Sequence, residues 1–260
     1  MPAGEPEAGD SHHNILVGLS AESVTEDAAL PESENSMRTL EALINTQEPG
    51  IDLVREWLGE ATNPVEVLEC EAAAGDETLL ALQVTTRSPM GALAHGTGGL
   101  LVDHGWVRVL GAGCQRLPRS ITSWNGLGSD APPRLDRAIA IGDDVVGGFY
   151  ALNGGGLPGE PGHVAYLAPD SLEWENQELG YSEWLYWLFT GDLALFYENA
   201  RWPNWEAEVA QLRGDQGFTL YPFLWADGPP VGERARGAVP IEELWYLHAV
   251  EVPRQLGSPG

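Results

Sequence analysis

The chain has 260 residues, a formal charge of −26 and thirteen basic residues, all of them arginine. So acidic a surface repels phosphate backbones and anionic bilayers, which argues against nucleic acid and membrane as partners and leaves a basic protein as the expected charged one. No apolar run is long enough to span a bilayer, no signal peptide opens the chain, and Cys70 and Cys114 are too few for a disulfide framework. A cytoplasmic protein with reduced thiols is expected.

Residues 1–36 carry eight acidic residues and no arginine. They cannot bury enough apolar surface to offset their chain entropy, so they read as a disordered acidic tail. Met37 opens the first foldable segment and is a candidate for the true start. The expected domain is 37–250, with a short tail over 251–260.

Within the domain, Leu40, Leu43 and Ile44 share one helical face, and the pattern predicts a helix over 38–45. Glu48-Pro49-Gly50 breaks it, and Ile51, Val54 and Leu58 predict a second helix over 51–60. Val65–Leu68 and Leu79–Thr85 read as strands. Ser88-Pro89 is a helix start, a capping hydroxyl followed by a proline at the first helical position. Gly99–Val102 and Trp106–Leu110 flank Asp103-His104-Gly105, a hairpin signal with glycine where positive φ is wanted. Residues 111–137 read mostly as loop. Ala138–Ile141 and Val145–Leu152 read as strands, and Asn153–Gly159 as a connector. His163–Ala168 and Ser171–Glu175 read as another hairpin.

The apolar period then changes from two to 3.6. Ser182 is the expected cap of a mostly buried helix holding Trp184, Leu185, Trp187, Leu188 and Phe189. Asp192 caps the next, and Pro203 opens a third with Trp205, Val209 and Leu212. Phe218–Trp225 reads as extended, Ala226–Gly237 as loop, and Ile241–His248 as a last helix. Helices, then strands, then helices predict an α+β domain with a mostly antiparallel sheet flanked by N-terminal and C-terminal helices.

Catalytic signatures are absent. Without lysine there is no P-loop, and neither Gly96–Gly99 nor Asn153–Gly156 has dinucleotide-loop spacing. No GxSxG elbow, HExxH or CxxC occurs, so no catalytic residue, metal ligand or cofactor is assigned. Asp143-Asp144, Asp170, Glu173 and Glu175 lie near Trp174, which is the composition of a glycosidase site, but carboxylates near aromatics arise by chance in a chain with 39 acidic residues. Arg213-Gly214-Asp215 spells an adhesion tripeptide, and a helix C-terminus explains it better.

The stretches MRTLEALINTQEPG, ALQVTTRSPMGALAHGTGGLLVDHGWVRVLGAG, DDVVGGFYALNGG, APDSLEWE and LGYSEWLYWLFTGDLALFYENARWPNW are long and specific. On them the chain, from about Arg38 to Leu247, resembles an uncharacterised bacterial family known only as a domain of unknown function. That resemblance implies no activity. A strand ending in Asn-Gly-Gly, then a hairpin, then an aromatic helix (GGFYALNGGG, VAYLAPDSLEWE, YSEWLYWLF) also resembles the SUKH superfamily, whose α+β members often neutralise bacterial toxins. The likeness implies an immunity-like role against a basic toxin or nuclease.

Three functional expectations follow. The leading one is a non-enzymatic module that binds a basic protein. The second is an enzyme with a loop-borne site at Arg87, His95, Asp103, His104 and Asn153, where polar side chains sit in glycine-rich loops. The third is carbohydrate binding on Trp174 as a surface aromatic. The oligomeric state is not addressed by any of these patterns.

Overall fold

The computed structural model describes residues 37–256; the expectation for residues 1–36 lies outside the described residues. Three helices and one strand come first: α1 (Leu40–Leu43), α2 (Gly50–Glu60), β1 (Val65–Leu68) and α3 (Ala72–Leu82). Then follow α4 (Pro89–Gly96), β2 (Gly99–Val102), β3 (Val107–Leu110) and α5 (Ile121–Asn125). Four strands continue the sheet: β4 (Ala138–Asp144), β5 (Phe149–Asn153), β6 (His163–Leu167) and β7 (Trp174–Gly180). Helices α6 (Tyr181–Thr190), α7 (Leu193–Phe196) and α8 (Trp205–Val209) lead to β8 (Gln216–Tyr221), β9 (Ala235–Pro240) and α9 (Ile241–Trp245). A π-helical stretch, Tyr246–Glu251, runs on into α10 (Val252–Leu256).

The seven strands β1 to β7 form one antiparallel sheet in chain order, a meander, and β8 pairs with β9 in a separate two-stranded sheet. This is the α+β architecture expected. Alternation along β5 shows that helices cover both faces, because neighbouring strand residues point to opposite sides. Tyr150 meets Trp184 of α6 with ring centroids 5.2 Å apart, whereas Phe149 meets Trp245 of α9 at 4.9 Å and Trp124 of α5 at 6.5 Å. Both sides are therefore core, and the aromatic-rich helices are the covering layers.

Several local expectations match. Ser88 Oγ accepts from Gly91 N at 3.1 Å with Pro89 in the first turn, and Asp192 Oδ1 accepts from Leu195 N at 2.9 Å. The β2–β3 turn takes positive φ at Asp103, His104 and Gly105 in succession.

Others are corrected. Leu79–Thr85 is not a strand: Ala72–Leu82 is a helix ending at Gln83, whose left-handed backbone lets its N–H reach Leu79 O at 2.9 Å. The alanine-rich start AAAG favours helix, and Gly75, Thr78 and Leu79 make a buried face at helical spacing. Residues 111–137 contain α5, whose start is a reciprocal cap between Ser120 and Ser123. Val145–Leu152 is not one strand, because Val145–Gly148 is the turn between β4 and β5. Part of the segment expected as loop over 226–237 is the first half of β9. The α6 helix starts one residue before Ser182, with Glu183 Oε2 accepting from Gly180 N at 2.9 Å. Trp184 is fully buried, and Trp187 and Trp205 are half-buried against the core.

Candidate functional site

Two adjacent aspartates at the end of β4, Asp143 and Asp144, are both completely buried. Being neighbours on a strand, they project to opposite faces of the sheet. They are therefore no carboxylate pair facing across a substrate, and each belongs to its own polar cluster.

On one face, Asp143 lies directly opposite Arg108 of β3 in the ladder. Arg108 Nε donates to Asp143 Oδ1 at 2.6 Å, and Arg119 donates from Nη1 to Asp143 Oδ2 at the same distance. Arg108 also reaches the carbonyls of Asp144 and Gln216, while Arg119 donates to Gly214 O at 3.0 Å and lies over the Trp124 ring. Two guanidiniums, 3% and 7% exposed, thus share one carboxylate. Burial pushes the Arg108 guanidinium below its usual pKa, against the opposing pull of Asp143. The carbonyls of Gly214 and Gln216 tie β8 and its preceding turn to the main sheet through this cluster.

On the other face, Asp144 Oδ1 accepts from Val146 N at 3.0 Å and Gly148 N at 2.9 Å, closing the β4–β5 turn. Its Oδ2 accepts from the Tyr166 hydroxyl at 2.6 Å. Burial raises the Asp144 carboxyl above the ordinary range, and the three hydrogen bonds oppose that shift. Nearby, the Tyr150 and Tyr197 hydroxyls bond each other at 2.7 Å, and burial holds all three phenols well above their usual pKa. These tyrosines are neutral and serve as fixed hydrogen-bonding groups.

Of the cluster around Asp143, Arg108 lines a surface cleft of about 370 Å³. Leu101, His104 and Gly105 form one wall, from the end of β2 and the β2–β3 turn. Val209 to Asp215, from the end of α8 and the turn before β8, form another, and Gln115, Arg116 and Pro118 a third. On the rim, Arg116 pairs with Glu66 and Arg213 with Asp215, Arg213 Nε donating to Asp215 Oδ1 at 3.0 Å. Arg213 holds the Asp215 carboxyl below its ordinary pKa. The Arg-Gly-Asp letters thus sit in the turn between α8 and β8, their two charges closed on each other.

The five loop residues expected to share a site have separate partners. Arg87 pairs with Glu48 at 2.6 Å, both exposed. His95, in the last turn of α4, meets Asp76 of α3 through Nε2 at 2.9 Å. Asp103 is bound by Arg201, which also lies over the rings of Trp106 and Trp205. His104 alone of the five lines the cleft, 6.0 Å from the Trp205 ring. Asn153 folds its own loop: Oδ1 accepts from Gly155 N and Leu157 N, and Nδ2 donates to Leu157 O at 3.0 Å. The register puts Asn153 opposite Ala138 at the start of β4, whereas the Asp103 turn lies toward Asp144 at its end. Trp174 is half-buried, with its ring 6.5 Å from that of Trp245. Among the described residues, no group of three or more His, Cys, Asp or Glu side chains is arranged to hold a metal.

Arg108, Arg119, Asp143 and Asp144 were not singled out together by the sequence reading. For Arg108, Asp143 and Asp144 the signal is charge inside the apolar strands VRVL and AIAIGDD, where a charge is tolerated only when paired, whereas Arg119 comes from the loop before α5 and carries no such local mark.

The architecture defines an α+β protein built on a seven-stranded meander, with a buried ion cluster beneath an arginine-rimmed cleft. The chain belongs to the family described as "Protein of unknown function DUF2625", whose model matches residues 40–244. It is 45% identical to the Putative uncharacterized protein YbfG of Escherichia coli K12 over 211 residues, covering 81% of this chain and 95% of that protein. It is 36% identical to an uncharacterized protein of Haemophilus influenzae over 217 residues, covering 83% and 95% respectively. No solved structure matches it. Among the described residues, no helix is long and apolar enough to cross a membrane.

Proposed function

We propose that this protein is a non-enzymatic binding module for a basic protein. The observation that carries this reading is the state of its charges. Eleven of the thirteen arginines are ion-paired within the fold. The other two, Arg38 and Arg234, donate to backbone carbonyls. Asp and Glu outnumber Arg threefold in the sequence, and among the described residues most carboxylates have no cationic partner. Such a surface steers a positively charged protein into encounter and rejects anionic ones.

The separate partners of Arg87, His95, Asp103, His104 and Asn153 weigh against the loop-borne enzyme, and the packing of Trp174 weighs against a sugar platform. An immunity-like role is the finer version. The run from β5 through the Asn153 loop to β6, β7 and α6 supports it by its likeness to the SUKH order, and the partner would then be a basic toxin or nuclease. The test is capture from lysate by the full chain at low and high salt. A basic protein held at about 50 mM salt and released at several hundred millimolar is expected. Recovery of no basic protein at low salt would overturn the reading. For the immunity version, the captured protein must be a toxin whose activity the full chain inhibits.

A further inference from the structure

We propose that the cleft above Arg108 binds a small phosphomonoester, its phosphate between Arg116 and Arg213 and its organic body against Leu101, Val209 and Leu212. This inference is independent of the basic-protein reading above.

Charge carries the argument first. The cleft is lined by three arginines, Arg108, Arg116 and Arg213, against one carboxylate, Asp215. Arg108, paired with Asp143, is the buried member of the three, and the surrounding protein screens its charge less than water screens that of an exposed arginine. Arg108 is both nearly inaccessible to bulk water and part of the cleft lining, so its field opens into the cleft. In a chain of charge −26, that is an unusual place for a cationic floor.

The rim adds the recognition geometry. Arg116 and Arg213 are 60% and 73% exposed, and of their present partners Glu66 is exposed and Asp215 half-buried. Exposed pairs of this kind contribute little and exchange readily for a better anion. A phosphate dianion can present a pair of oxygens to each guanidinium, and it gathers on one group the two charges that Glu66 and Asp215 supply separately. The volume decides between a bare ion and a larger ligand. About 370 Å³ is several times what inorganic phosphate fills, and Leu101, Val145, Val209 and Leu212 supply apolar wall for a larger ligand.

The experiment is calorimetric titration of the full-length protein with phenyl phosphate, inorganic phosphate and phenol at constant physiological ionic strength. Expected is saturable binding of phenyl phosphate, tighter than inorganic phosphate, with phenol not binding. Arg213→Gln and Arg116→Gln should each weaken phenyl phosphate about tenfold, the loss of one charge-assisted contact. Asp215→Asn and Glu66→Gln, which free the same arginines, should tighten it. Three of the four side chains are exposed and Asp215 is half-buried, and an unchanged thermal midpoint shows that each variant folds. No saturable binding of phenyl phosphate, binding indifferent to both arginine variants, or equal binding of phenol would overturn the proposal.

Discussion

Arg108 and Asp143 face each other across the β3–β4 ladder with no solvent between them, and Arg119 occupies the carboxylate oxygen that Arg108 leaves free. The carboxylate is the anion that both guanidiniums bond, so its removal leaves two buried guanidiniums facing each other. Asp143→Ala is expected to cost about 3–5 kcal/mol, the usual penalty for breaking a buried pair. Asp143→Asn keeps the shape and one acceptor but loses the charge, and should cost nearly as much. Urea unfolding midpoints for the two variants check this; a loss under about 1 kcal/mol for Asp143→Ala would show the cluster to be far better solvated than its burial implies.

Asp144 behaves differently, because its partners are neutral. It accepts two backbone N–H groups and one tyrosine hydroxyl, and burial already disfavours its charge. An asparagine can keep the first two bonds through its carbonyl and donate to the Tyr166 oxygen. Asp144→Asn is therefore expected to lie within about 1 kcal/mol of wild type, whereas Asp144→Ala leaves three buried partners and should cost about 2–4 kcal/mol. The sign of the charge effect is also fixed. A carboxyl whose pKa is raised on folding binds more protons folded than unfolded, so its ionisation lowers stability as pH rises above the unfolded value. Asp144→Asn should remove that slope, read from unfolding midpoints across the acid range.

The strands β1, β2, β3 and β6 were legible in the sequence because each is short, rich in apolar residues and bounded by local punctuation, whereas β7, WENQELG, is mostly polar and runs well past the expected Ser171–Glu175. Ser88-Pro89, Asp192 and the Asp103-His104-Gly105 turn all act through hydrogen bonds within a few residues, and local pattern reads such bonds. Asn153 shows the limit of that legibility. As a turn residue it was plain, but its polar atoms are spent on Gly155 and Leu157. The Val145–Gly148 turn was missed because VV is a strand signal, and what overrides it is the buried carboxylate of Asp144 bonding Val146 and Gly148. The α3 helix was missed because LLALQVTT has strand-like composition, and its helical face is decided by close packing on α4: a Cβ on Gly75 would lie 2.0 Å from His95 O. The cleft was invisible for a deeper reason. Its parts come from residues 101–118, 145 and 209–215, joined only by tertiary folding.

His248 supplies a pH test. It is buried in the π-helical stretch beside Trp225, and its Nδ1 donates to Gly147 O at 2.8 Å. Burial lowers its pKa from 6.5 to about 4, the hydrogen bond to Gly147 opposing that shift. The unfolded chain therefore takes up a proton that the folded one refuses. Its contribution to stability is complete above pH 6.5, declines as pH falls toward 4 and levels off below. Between pH 7 and pH 4.5 the wild type should lose about 2–3 kcal/mol more than His248→Gln, which carries no titrating group. Equal losses in the two proteins would mean that His248 is protonated in the folded state.

Two glycines give opposite expectations from the same substitution. At Gly148 an added Cβ would lie 2.1 Å from Asp144 Oδ2 and 2.3 Å from the Tyr166 hydroxyl, and neither atom can withdraw without breaking the bond that joins them. Gly148→Ala should destabilise by about 2–4 kcal/mol, through overpacking and the loss of a buried hydrogen bond. Gly59, near the end of α2, has nothing within 4 Å of where its Cβ would be, and its position is exposed. There alanine only reduces the freedom of the unfolded chain and improves helix propensity, so Gly59→Ala should stabilise by about 0.5–1 kcal/mol. Thermal midpoints of the two variants should move in opposite directions from wild type. If Gly148→Ala melted at or above the wild-type temperature, the β4–β5 turn would not be closed on Asp144 as described, and the buried bond between Asp144 and Tyr166 would not be holding that corner of the sheet.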